Sequence, residues 1–223
     1  MMYIKPLFIG LLFLLIGTAY GQTSKFEVGI EGGPSIMSLR GNEAIDSLHE
    51  TTTRFSGGLF LQYNFSKNLS LRTNIAFEHK GSEATIRGFD FFGNWVDEED
   101  VKVNYDYLTM PILARVTFGK RVKYFVNAGP YFGYLLKQNM VIKSSIAPTR
   151  NEDGTSMSKR YDIGISTGLG ASVPILSNVS LSFEVRNNLG LINTSSVEVY
   201  NDGTVKTNST NFLIGISYNI SGN

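Results

Sequence analysis

Apolar and polar residues alternate along most of this chain with a period of two. From Leu69 the apolar set runs Leu69, Leu71, Ile75 and Phe77, with Thr73 in phase. Ser70, Arg72, Asn74, Ala76 and Glu78 occupy the other parity. Successive side chains of a strand point to opposite faces, so this pattern builds one greasy and one wet surface. The pattern recurs in Phe26, Val28 and Ile30, in Phe55, Leu59 and Leu61, and in Val179, Leu181, Phe183 and Val185. It closes the chain in Phe212, Ile214, Ile216, Tyr218 and Ile220. It predicts eight strands at about 25–38, 53–65, 69–81, 103–118, 122–136, 160–173, 178–192 and 209–220. In the fifth, aromatics occupy both parities and the phase is left unassigned. Pro111, inside a strong strand pattern, predicts a β-bulge, because proline donates no ladder hydrogen bond.

The connections alternate in length. Residues 66–68, 119–121 and 174–177 are tight, whereas 39–52, 82–102, 137–159 and 193–208 are long. Short periplasmic turns and long extracellular loops are the plan of outer-membrane barrels. The expectation is an all-β, eight-stranded antiparallel up-and-down transmembrane β-barrel, its apolar parity facing lipid. Aromatics near the strand ends, such as Phe26, Tyr63, Phe65, Phe118, Tyr124 and Tyr218, fit interfacial girdles.

The N-terminus has Lys5, an apolar run from Leu7 to Gly17 and then Ala19-Tyr20-Gly21. This is the layout of a signal peptide over residues 1–21, followed by a barrel domain over 22–223. The run is shorter than the ~20 residues of a spanning helix. The full sequence has 20 basic and 19 acidic residues, and loss of Lys5 leaves the two balanced. No basic footprint for nucleic acid follows. The absence of cysteine excludes disulfides, a lipidated cysteine and cysteine metal sites.

Several segments resemble the PorT-like outer-membrane β-barrel proteins: Gly29 to Ser35, Tyr107 to Leu113, Ala128-Gly129-Pro130-Tyr131, Asp162 to Gly170 and Arg186 to Leu191. The likeness covers nearly all of the mature chain, and its motifs mark strands and turns rather than activity. It implies an eight-stranded barrel in the outer membrane of a Gram-negative bacterium, placed there by the barrel-assembly machinery and in contact with outer-membrane lipid. The family's namesake is associated with secretion and gliding, a role not carried over here. Such barrels often finish on an aromatic residue read by the assembly machinery, whereas here Tyr218-Asn219-Ile220 is followed by three further residues.

The wet parity carries Glu27, Glu31, Glu78, Asp162 and Glu184 against Arg54, Arg72, Lys80, Arg115 and Arg186. Isolated ions in a narrow lumen are costly, so an interior network of paired charges is expected, centred on Glu31, Arg72, Glu78, Arg115, Glu184 and Arg186. Its expected role is structural. His79 is expected outward near the outer rim with Ser82 close in sequence, while His49 lies in the first long loop. No other constellation for catalysis appears, and neither a metal nor a cofactor is expected. Asp97-Glu98-Glu99-Asp100 lacks the ligand spacing of a calcium loop and is expected to be solvated loop. Phe89, Phe91, Phe92 and Trp95 cluster in the same loop, either packed at the barrel mouth and outer leaflet or contacting a protein or glycan. The leading expectation is a non-enzymatic envelope or partner-binding barrel. The alternatives are a lipid-modifying enzyme built on His79 and an inside-out, soluble, lipocalin-like carrier.

Overall fold

The computed structural model describes residues 25–41, 50–89, 95–199 and 203–220. The expected signal peptide lies outside them, as do His49, Phe91 and Phe92. The strands are β1 (Phe26–Arg40), β2 (Thr52–Asn64), β3 (Leu69–Phe89), β4 (Trp95–Phe118), β5 (Lys123–Ser144), β6 (Arg150–Asp153), β7 (Tyr161–Pro174), β8 (Val179–Gly190) and β9 (Lys206–Ile220). All but β6 form an antiparallel ring of eight, closed where β1 pairs with β9. β6 is a short addition to the far half of β5.

The register fixes the size of the ring. Stepping between paired residues from Phe26 leads through Tyr63, Leu71, Ala114, Ala128, Thr167, Asn187 and Thr210, and returns to β1 at Ile36, ten residues beyond the start. With eight strands, this stagger corresponds to a strand tilt of about 40° and a backbone radius of about 8 Å. Such an interior has room for side chains and little else.

The apolar parity faces out. Ile30, Leu59, Ile75, Leu169, Ile214 and Ile216 are exposed around the wall, Ile75 at 58%. The charged parity is buried, which is the reverse of a lipocalin-like carrier. Exposed aromatics form two bands. Near the tight turns lie Phe26, Phe65, Phe118, Tyr124 and Tyr218, with Tyr63 packed edge-on against Phe26. Farther up lie Phe55, Phe77, Phe132, Tyr134 and Tyr161. Tyr124 and Tyr134 share β5 ten residues apart, about 25 Å along the axis at that rise and tilt. This is the height of an outer-membrane apolar band.

β5 takes one phase up to Leu135, with Phe125, Asn127, Tyr131 and Leu135 inward and Tyr124, Val126, Phe132 and Tyr134 outward. The bulge is not at Pro111. There the ladder to β3 lapses and resumes in the same register, and Thr73 Oγ1 donates to the Pro111 carbonyl at 2.9 Å. The register instead shifts between Asp106 and Tyr107, opposite Leu135–Lys137. Near this level Gly81 takes φ +146°, a conformation that glycine alone adopts readily. Bulges are common at barrel rims, where they bend the strand.

The expected loop 82–102 is largely strand. β3 and β4 run on as a hairpin beyond the upper aromatics, and Phe89 lies ten residues past His79, about 25 Å farther out. β5 and β6 widen the hairpin into a projecting sheet. Ala84, Val101 and Ile142 are buried side by side at its base, but farther out Trp95 to Asp100 run apolar and then acidic, without the alternation that marks the wall.

An arginine at mid-wall should be tolerated far worse than one at a girdle. Ile75→Arg is expected to destabilise the barrel by about 2–4 kcal/mol and Tyr218→Arg by about 0–1. Reversible urea unfolding in lipid vesicles measures both.

Candidate functional site: the barrel interior and its two mouths

Among the described residues eight charged side chains are buried, four acidic and four basic: Glu31, Glu78, Asp162 and Glu184, with Arg72, Lys80, Arg115 and Arg186. All six residues expected in the network are inside, and five of them, all but Glu78, are joined by ion pairs. Arg72 donates to Glu31, and Arg186 reaches Glu31 at 2.7 Å and Glu184 at 2.6 Å. Arg115 completes the chain at 3.0 Å from Glu184. Each acid in this chain lies between two arginines. Asn74 donates to Glu31, and Asn127 bridges Glu184 and Arg115 at 2.8 Å each.

Glu78 has no ion pair among the described residues. It accepts instead from Asn188 at 2.9 Å, Ser209 at 2.5 Å and Asn211 at 3.0 Å. Above it Lys80 Nζ donates to Asp162 at 2.8 Å and to Tyr131 at 3.1 Å, while Tyr131 and Thr207 also donate to Asp162. Parity had placed Lys80 and Asp162 inside, but their convergence with Tyr131 and Thr207 comes from strands far apart in sequence. Arg54, of the same parity, is exposed and donates to Asn104 at 2.5 Å. Glu27 is half-buried at the turn end.

Three of the cations share one construction. Arg72 lies 3.4 Å from the centroid of Phe60, Arg115 3.8 Å from that of Phe125, and Lys80 4.3 Å from that of Tyr131. Each ring stands opposite a glycine on the neighbouring strand: Phe60 by Gly29, Phe125 by Gly170 and Tyr131 by Gly164. A Cβ on any of these glycines would strike the ring. The glycine lets the ring lie flat against the wall, and the ring's face then meets the cation. These inward aromatics are what blurred the phase of β5.

The two ends differ. At the turn end a cavity of about 280 Å³ opens over Arg72, Arg115 and Phe125. At the far end Leu39, Tyr105, Tyr107 and Leu135 form an apolar plug with Val103, Val199 and Val205. A strap crosses above it. Lys159 N donates to Thr194 O at 2.7 Å, Ser196 N to Met157 O at 2.9 Å, and Ser158 bridges to Ser195. An apolar pocket of about 190 Å³, lined by Tyr105, Met157 and Val197 among others, lies beneath it.

The acidic run is not solvated loop but strand, and each of its carboxylates has a partner. Asp97 accepts from Ser144 and Ser145 at 2.6 Å, and these bonds, that of Ser144 foremost, hold its carboxyl below the usual range. Glu98 faces Arg87 at 3.6 Å, Glu99 meets Arg150 at 3.0 Å, and Asp100 accepts from Thr85 at 2.9 Å. No group of three metal-ligating side chains occurs among the described residues. Trp95 is exposed on the projecting hairpin, opposite Phe89. His79 pairs with Asp106 at 2.7 Å and packs edge-on against Phe77, whereas Ser82 is fully buried. The histidine and serine of the enzymatic alternative are thus not brought together.

Lys80→Met, which leaves Asp162 without its cation, is expected to destabilise by about 3–5 kcal/mol, and adding Asp162→Asn should recover most of it. Gly170→Ala is expected to cost about 1–3 kcal/mol by pressing on the Phe183 carbonyl of the neighbouring strand and displacing Phe125. Gly133→Ala, where an added Cβ approaches nothing nearer than 3.2 Å, should be far milder. Equilibrium unfolding of the refolded variants checks all three.

No curated protein matches the chain. Similar solved structures include Neisserial surface protein A, at 15% identity over 90% of this chain and 100% of that one with a TM-score of 0.47. Outer membrane protein OprG from Pseudomonas aeruginosa shares 11% identity over 91% and 99% with a TM-score of 0.44. Outer membrane protease OmpT from Escherichia coli shares 10% over 92% and 100% with a TM-score of 0.40. The outer membrane protein beta-barrel domain matches residues 20–196. With a closed eight-stranded ring, an apolar outer wall and that match over most of its length, the chain belongs to the outer membrane protein beta-barrel domain family, of the outer membrane of Gram-negative bacteria.

Proposed function

We propose that this protein is a closed, non-enzymatic outer-membrane anchor that presents its projecting β3–β4 sheet to an extracellular protein or glycan. The observation that carries this reading is the filled lumen. Between the turn-end cavity and the apolar plug, eight buried charges occupy the bore, and the cavity beside Glu31, Glu78 and Arg186 measures only about 20 Å³. A general porin needs a wider ring. The projecting sheet is built differently from the wall. It stands beyond the upper aromatics, its charges are paired across strands, and Trp95, Val96 and Ile86 are exposed on it. Exposed aromatic and aliphatic side chains on a polar, ordered scaffold suit recognition. Phe89, Phe91 and Phe92 share this hairpin in sequence and complete the proposed contact. The interior charges serve to hold the barrel rigid beneath it. The sequence motifs further support placement among PorT-like barrels, with insertion by the barrel-assembly machinery.

Replacing residues 84–99 by a two-residue turn should leave a folded, heat-modifiable barrel that loses crosslinks to its surface partner in intact cells. Trp95→Ala should weaken the same crosslinks. Unchanged crosslinking after the replacement would overturn the reading, as would large steady openings of the native protein in planar bilayers.

A further inference from the structure

The turn-end cavity holds a charge pattern that the structural role of the network does not require. Its wall includes Arg72, Arg115, Lys67 and Lys123 but a single carboxylate among the described residues, Glu27, held by Gln62 at 3.2 Å. Glu31 and Glu184, which neutralise the two arginines, are not part of that wall. The interior charges are therefore unevenly placed: two arginines line the cavity, and the acids that neutralise them do not.

Arg72 is only 1% exposed, yet its Nε has no hydrogen-bond partner. A buried donor left unpaired is unfavourable, and a guanidinium carries five donors of which Glu31 engages only some. Both arginines are held in place before any ligand arrives, by their acids on one side and by Phe60 and Phe125 on the other. Preorganised cations in a recess of low dielectric attract an anion more strongly than the same groups in water.

We propose that this vestibule binds a phosphate group entering from the periplasmic side. Donors converge from two arginines on adjacent strands, from the rim lysines and from hydroxyls such as those of Ser70 and Ser172. That arrangement suits a tetrahedral oxyanion better than a planar carboxylate. At about 280 Å³ the cavity accommodates the group with several waters of about 30 Å³ each, or with a small organic substituent. Its source is either a free phosphate compound or the headgroup of an inner-leaflet lipid.

The test follows the guanidinium Nε–H resonances of the full chain refolded in a maltoside detergent, which contains no phosphate. Inorganic phosphate is titrated at fixed ionic strength against sodium chloride. Saturable shifts of the Arg72 and Arg115 signals, absent with chloride alone, are expected. Ser172→Phe fills the recess without removing a charge, and the paired change Lys67→Ala, Lys123→Ala strips the exposed rim. Each should weaken binding at least tenfold. Shifts that do not saturate, that chloride reproduces, or that survive both variants would overturn the proposal. In phospholipid nanodiscs free of added phosphate, signals already at the bound position identify a headgroup as the source. Signals that still respond to added phosphate identify a free compound.

Discussion

A backbone that crosses hydrocarbon must pair every N–H and C=O within itself, because no water is there to replace a lost partner. In this chain the requirement is met by the β1–β9 ladder, which leaves the ring without a free edge through the membrane. Once the ring is closed, strand number and stagger set its dimensions. Eight strands with a return at the tenth residue give a bore that side chains fill. The outward parity must then be apolar, and the inward parity must satisfy itself in a confined, nearly waterless space.

Confinement explains the form of the interior. A charge buried alone is costly, and a buried pair is stable only with good geometry and further hydrogen bonds. Here acids and bases alternate along a chain of contacts, and Asn74, Asn127, Tyr131 and Thr207 occupy positions that the ion pairs leave open. Cross-strand glycines add the space that lets rings lie beneath three of the cations. Small inward residues therefore do more than relieve crowding, since they decide where an aromatic face is available to a cation. Glu78, held only by neutral donors among the described residues, shows that the balance of charge is kept over the whole bore rather than pair by pair.

The two ends carry opposite character. Toward the turns the network ends on arginines facing an open recess. Toward the loops it ends on Lys80 and Asp162, above which an apolar plug and a hydrogen-bonded strap close the mouth. The barrel is covered by the plug and strap on one side and indented on the other, which gives it two separate surfaces. One projects on β3 and β4, and the other faces inward from the membrane's opposite side.

Period-two alternation by itself determined the ring strands, their number, the side that meets lipid and the parity that carries the eight buried charges, because lipid and lumen impose opposite chemistry on neighbouring residues; of the ten charges on that parity, Arg54 is exposed and Glu27 half-buried. It left the fifth strand unphased, since Phe125 and Tyr131 face inward only to meet Arg115 and Lys80, which other strands deliver. Proline's missing donor placed a bulge at Pro111, whereas the register slips at Asp106, where the wall gives way to the projecting sheet. The period-two reading missed that sheet because stretches such as Trp95 to Asp100, two apolar residues followed by four acids, carry no alternation. Which acid meets which base, and that the acidic run pairs with Arg87, Arg150 and two serines, depended on tertiary structure alone. Those partners lie on different strands, and only the stagger of the closed ring decides the height at which they meet.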